Sequence, residues 1–168
     1  EIGNYAFYSI GIINLTFGNN INKVGDYAFR NCTGLKEINI PEELDSGKFG
    51  KGVFYGCVGL TGATPFPGHF KYVPVEYFRD CTRLTELAIH ENITEIKDYA
   101  FYNCSGLTGN LILDPDLTVC KYSFAYCIGF NSYINIQSNK NMGLYSFSNC
   151  IGIKELVLSK GVTYIETG

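Results

Sequence analysis

The chain has 168 residues, 46% of them hydrophobic, with a formal net charge of −3. Its Lys and Arg are scattered and form no basic stripe, which excludes a nucleic-acid partner. No apolar run approaches the roughly 18 residues of a membrane span, so no membrane insertion is expected of this segment.

One triplet organises everything else: a Phe, a Cys three residues on, and a bulky apolar residue three further. It recurs as Phe29-Cys32-Leu35, Phe54-Cys57-Leu60, Phe78-Cys81-Leu84, Phe101-Cys104-Leu107, Phe124-Cys127-Phe130 and Phe147-Cys150-Ile153. Phe7 begins a copy without the Cys, with Ser9 or Ile10 in that slot. A constant period in the low twenties marks a solenoid, each repeat being one coil stacked on the last. Residues 1–168 are therefore expected to form a single solenoid of about seven coils. Neither end carries the atypical capping repeat that closes such a stack, so the chain reads as a fragment of a longer protein.

The first coil, 2–22, places Ile12, Leu15 and Phe17 after its GNYAF turn; the second has Leu35, Ile38 and Ile40. That spacing predicts a turn and then a short strand of period two. The third coil departs most, with Pro65 and Pro67 where its strand belongs, after a polar, Gly-rich insertion at 41–52. Two missing N–H groups on one side predict a weak or bulged ladder there. The fourth coil (Leu84, Leu87, Ile89, Ile93, Ile96) and the fifth (Leu107, Leu111, Leu113, Leu117, Val119) keep the pattern best, although the fifth gains one residue at Thr108-Gly109-Asn110. The sixth has Phe130, Ile134 and Ile136 and a looser polar return at 137–142; the seventh has Ile153, Leu156 and Leu158, and 162–165 start a further coil. Stacked strands would make one continuous sheet at roughly 4.8 Å per coil. Each YAFxxC segment is too short for an independent helix and predicts a single helical turn held by packing. Small residues before most of the Phe (Ala6, Ala28, Val53, Ala100, Ser123, Ser146) let that turn lie close to the core. Asn20 and Asn92 fall where a turn amide could satisfy backbone groups, but the other coils do not keep it.

The pattern I-G-x-Y-A-F-x-x-C-x-x-L, followed by L/I-x-I-P and V/I-T-x-I, resembles the BspA-type leucine-rich repeat and covers essentially the whole chain. The fold class so identified is a right-handed leucine-rich-repeat superhelix: a concave parallel β-sheet with one short strand per coil, and short helical turns on the convex side. The resemblance implies a secreted or cell-surface protein of a bacterium or protist, with a host matrix protein, a cell-surface protein or a glycan as partner. It brings no catalytic residues and no cofactor.

Six of the seven Cys share one repeat slot and read as buried, reduced thiols packed as small hydrophobes. Cys120 lies outside that column and is the reactive-thiol candidate. His90 and Asp114 occupy equivalent slots after their strands and would be neighbours on the rim of the sheet, forming a surface hydrogen bond rather than a catalytic pair. The sequons at Asn14, Asn31, Asn92 and Asn103 matter only where the source glycosylates. The turns are built from repeat-constrained residues, which leaves the outward strand positions as the variable surface. Glu86, His90, Ile112, Asp114, Tyr133 and Asn135 gather there on three adjacent coils, an arrangement suited to a broad protein-contact surface. The expected function is a non-enzymatic binding module acting through that face, mediating adhesion or protein–protein contact; the alternative is a structural spacer that carries another domain.

Overall fold

The computed structural model describes residues 1–137, 142–160, 162 and 164–166; residues 138–141 of the polar return, Gly161, Thr163, Thr167 and Gly168 lie outside the described residues. Among these, ten short strands follow in order: β1 Asn14–Thr16, β2 Glu37–Asn39, β3 Gly62–Ala63, β4 Tyr72–Val73, β5 Leu84–Glu86, β6 Glu95–Ile96, β7 Leu111–Leu113, β8 Thr118–Val119, β9 Tyr133–Ile136 and β10 Glu155–Leu158. Every pairing is parallel. The chain is a parallel-strand solenoid of about six turns with almost no helix. Its one short 3₁₀ turn, Ser46–Lys48, sits in the insertion of the long second coil and is capped by Asp45, whose carboxylate accepts the Gly47 N–H at 2.7 Å.

Each coil contributes to two ladders. The expected strands form the sheet face, β1 with β2, β3 with β5, and β7 with β9 and β10. A second ladder, formed by β4, β6 and β8, is prolonged by single bridges from Ile2 to Val24 to Phe49 and from Val119 to Met142 to Ile165. The sequence marks these positions only as isolated apolar residues, too few per coil to show a period.

On the sheet face the outward columns follow the repeat. Asn14 lies beside Glu37, Ala63 beside Glu86, Ile112 beside Asn135 and Tyr133 beside Glu155. The expected continuous sheet is nevertheless interrupted twice, since no ladder joins β2 to β3 or β5 to β7. Both breaks follow added residues, at 41–52 and at Thr108-Gly109-Asn110. The strand before Pro65 is weak, as expected. It pairs over only two residues and its register shifts between Gly62 and Ala63. Thr64, buried beside Pro65, then uses its hydroxyl to accept the Ala88 N–H at 2.9 Å, a side-chain acceptor standing in the ladder.

The turn segments are not helical. Tyr5, Tyr27, Tyr99, Tyr122 and Tyr145 have φ of 55–57°, and Asn31, Asn103 and Asn149, four residues after the tyrosine, have φ of 55–59°. With a left-handed residue at each end of the turn, alternate N–H groups point along the solenoid axis to the next coil. Tyr27, Phe29 and Asn31 donate to the carbonyls of Lys51, Val53 and Tyr55 at 2.7, 3.1 and 2.7 Å. A helical turn would spend those donors inside its own segment and leave the coils unlaced. Asn tolerates this backbone region; Tyr does not, and its cost is offset by stacking on the next tyrosine. Ring centroids are 5.1 Å apart for Tyr5–Tyr27 and 5.0 Å for both Tyr99–Tyr122 and Tyr122–Tyr145.

The core is a column of phenylalanines. Phe7, Phe29, Phe54, Phe78, Phe101, Phe124 and Phe147 stack in sequence with centroids 5.2–6.1 Å apart. The thiols beside them do more than fill space. Cys57 donates its S–H to the Phe29 carbonyl at 3.2 Å, Cys104 to Phe78 at 3.0 Å, and Cys32, Cys81, Cys127 and Cys150 repeat the contact one coil back each time. A small apolar side chain carrying one weak donor is what this slot needs, which is why Cys recurs there. All seven cysteines are free.

Candidate functional site

The break between β5 and β7 opens a cleft of about 210 Å³ in the sheet face. Leu87, Ile89, Leu111, Leu113 and Leu117 line its apolar depth; Asn110, Ile112 and Asp114 form its edge. Gly109, at φ +84°, supplies the turn that carries the extra residue into β7. Ile112, outward in the middle of β7, is 53% exposed and lies beside Asn135. Asn135 is half-buried and its Oδ1 accepts the Ser159 hydroxyl at 3.4 Å. Tyr133, also half-buried, begins β9 opposite Glu155. Ile112, Asp114, Tyr133 and Asn135 are thus brought together on adjacent strands. Glu86, exposed at the end of β5, stands across the break, where its carbonyl accepts the Thr64 N–H.

His90 does not pair with Asp114. Its Nε2 lies 2.9 Å from the Pro67 carbonyl of the preceding coil, so the proton sits on Nε2, and Nδ1 is buried without a partner. No ladder joins β5 to β7 at this point, and the imidazole is bonded to the preceding coil instead. Asp114 is exposed and makes no ion pair among the described residues. Asn92, beside His90, holds the Gly68 carbonyl at 2.7 Å, the turn role its slot suggested.

Cys120 is the only half-buried thiol; the six others are buried. Its Sγ is 3.6 Å from Glu95 Oε1, and burial together with that carboxylate pushes its pKa up to about 12. It is accessible but a poor thiolate at neutral pH. Within the column, burial pushes Cys150 up to about 11 and Cys81, Cys104 and Cys127 up as well. The neighbouring thiols diverge: the Cys57 side chain beside it draws Cys32 down to about 7, while Cys32 and burial push Cys57 up.

A second surface lies on the turns. The residue after each Phe alternates Tyr8, Arg30, Tyr55, Arg79, Tyr102 over five coils. The guanidinium of Arg30 sits 4.2 Å from the Tyr55 ring centroid, and that of Arg79 sits 5.1 Å from Tyr55 and 4.8 Å from Tyr102. Tyr126 continues the stripe, 5.3 Å from Tyr102. This slot varies from coil to coil, contrary to the expectation that the turns offer nothing distinctive. The alternation at a fixed place in the repeat was the signal that would have found it.

Among the described residues no group of three His, Cys, Asp or Glu could hold a metal, and no helix is long and apolar enough to cross a membrane.

The sequence pattern described as the BspA type leucine-rich repeat region matches in six copies, over residues 1–131 and 117–168. Among solved structures, the crystal structure of the leucine-rich repeat protein of T. pallidum is similar in fold, with a TM-score of 0.76 at 22% identity over 91% of this chain and 71% of that one. A leucine-rich cell-surface protein of Faecalibacterium prausnitzii (15% identity, 94% of this chain and 64% of that one, TM-score 0.46) is a more distant match. So is a leucine-rich-repeat protein of Bacteroides ovatus (20% identity, 98% and 66%, TM-score 0.45). No curated protein matches the sequence. With the repeat matched from end to end, the stacked Phe column and the parallel solenoid, the chain belongs to the BspA-type leucine-rich repeat family.

Proposed function

We propose that this chain is a non-enzymatic binding module of a cell-surface or secreted protein, contacting a host matrix protein, another cell-surface protein or a glycan through its sheet face. The observation that carries this reading is the cleft where β5 and β7 separate, with Ile112 exposed at its edge above an apolar floor. An exposed aliphatic and a tyrosine beside polar groups, next to a recess that can take a partner side chain, are the ingredients of a binding hot spot. The His90 imidazole is held to the Pro67 carbonyl through Nε2 and its Nδ1 is buried, which supports binding over acid–base chemistry. Membership of a family found largely on the surfaces of bacteria and protists supports the location.

The test is capture from an extracellular-matrix protein extract, followed by affinity measurement on the captured component. Tyr133→Ala should weaken binding by at least about 1 kcal/mol, and Ile112→Asp should abolish it. A captured partner that is indifferent to both substitutions overturns the reading, and a chain that captures nothing is a spacer.

A further inference from the structure

Arg30 and Arg79 occupy one repeat slot two coils apart, but their electrostatic surroundings differ. Arg79 is neutralised within its own coil. Its Nη1 lies 3.0 Å from Glu76 Oε1 and its Nε 3.9 Å from Asp80 Oδ2. Glu76 stands three residues before the arginine and Asp80 one after. The same two slots around Arg30 hold Tyr27 and Asn31, neither of which carries a charge at neutral pH. Among the described residues the Arg30 side chain makes no ion pair and no hydrogen bond. Its Nε is buried and unpartnered, whereas its terminal nitrogens are not buried. The group is held in place by aromatic rings instead, 4.2 Å from Tyr55, 5.4 Å from Tyr27 and 6.0 Å from Tyr8.

From this contrast we infer that Arg30 anchors a carboxylate side chain of an acidic peptide segment laid across the turn face, the carboxylate filling the place that Glu76 fills at Arg79. A planar guanidinium offers paired N–H donors that match a carboxylate bidentately. Rings on its flanks fix the fork before the ligand arrives, which lowers the ordering cost of binding. A peptide fits better than an acidic glycan. A sugar ring docks on an aromatic face, and here the faces are occupied: Tyr27 stacks on Tyr5 and Arg30 covers Tyr55. What remains open is the guanidinium fork itself, which suits a carboxylate on an extended segment. The inference is independent of the sheet-face reading, because the two surfaces share no residue.

The probe is a fluorescein-labelled hexaglutamate peptide, with binding read by polarisation at low and at physiological salt. The intact chain should bind it, more weakly as salt rises. Arg30→Gln should lower the affinity by at least about tenfold, as expected for loss of a charge-assisted bidentate pair. Asn31→Asp should do the same by supplying at Arg30 the acid that Asp80 supplies at Arg79, and both slots already accept a left-handed backbone. Ile112→Asp, on the sheet face, should leave peptide binding unchanged. Unfolding midpoints confirm that each variant is folded. Absence of binding by the intact chain, or an affinity in Arg30→Gln and Asn31→Asp equal to that of the intact chain, overturns the inference. A hyaluronan oligosaccharide that bound through Arg30 more tightly than the peptide would overturn the assignment to peptide.

Discussion

Tyr27 donates its hydroxyl to Glu76 Oε2 at 2.8 Å although 49 residues and two coils separate them. Gly52 makes this possible. It occupies the tyrosine slot of the intervening coil at φ +59°, and a Cβ there would stand 2.4 Å from the Tyr27 ring. The ring crosses the vacant slot and reaches a carboxylate that is buried and also held by Arg79 and Lys51. Gly52→Ala should therefore strain the backbone and expel the ring together. A loss of about 1–3 kcal/mol is expected, read as a lowered denaturant midpoint at unchanged slope. A variant as stable as the parent would show that Tyr27 has another resting place.

Tyr77 breaks the small-residue rule of its slot, where the other coils carry Ala, Val or Ser. The space comes from the third coil, whose Phe49 and Phe70 form an aromatic pocket with Phe54 around the ring. Its hydroxyl is buried with no partner, and burial raises its pKa well above the usual value of 10. The folded state therefore holds a proton that the unfolded chain releases. This contribution is fully present below pH 10 and is lost as pH climbs from 10 toward the folded pKa. Tyr77→Phe should leave stability equal or higher by about 1 kcal/mol at pH 7 and should flatten the alkaline decline. A destabilised Tyr77→Phe at pH 7 would reveal a hidden partner for the hydroxyl.

The Phe–Cys period made the parallel stacked coils and the outward columns legible, because each rests on one residue type at one spacing. What the sequence concealed depends on the backbone or on two coils at once. Left-handed Tyr99 and Asn103 look like the start of a helix when only apolar spacing is read, and Asn, the tolerant residue, is the sole local hint. One added residue at 108–110 reads as a harmless insertion, yet it falls where β5 and β7 part and the cleft opens. The Tyr–Arg alternation is visible only when the slot after Phe is followed across coils rather than along the chain.

Phe101 is fully buried, with Phe78 stacked at 6.1 Å on one side and Phe124 at 5.2 Å on the other. Phe101→Ala should cost about 3–5 kcal/mol. In a solenoid each coil touches only its neighbours, so lost hydrogen-exchange protection should centre on Phe78, Phe101 and Phe124 and fade toward the ends. Protection lost uniformly from β1 to β10 would mean that the column unfolds as one unit and that the nearest-neighbour description fails.

The thiols give the last test, because accessibility and ionisation act on them separately. Cys120 is half-buried, whereas Cys104 and Cys127 have no exposed surface. Labelling of the folded chain with a maleimide at pH 7.5 should reach Cys120 first, yet slowly for a surface thiol, since its pKa of about 12 leaves little thiolate. Its rate should rise about tenfold per pH unit through the range in which the fold persists. Glu95→Gln removes the carboxylate at 3.6 Å and should speed Cys120 without altering the column. Cys32, with its pKa near 7, is fully buried, so its labelling should follow opening of the first coils and stay nearly flat with pH. Column thiols that labelled as fast as Cys120 in the folded chain would show that their bonds to the Phe carbonyls do not hold them shut.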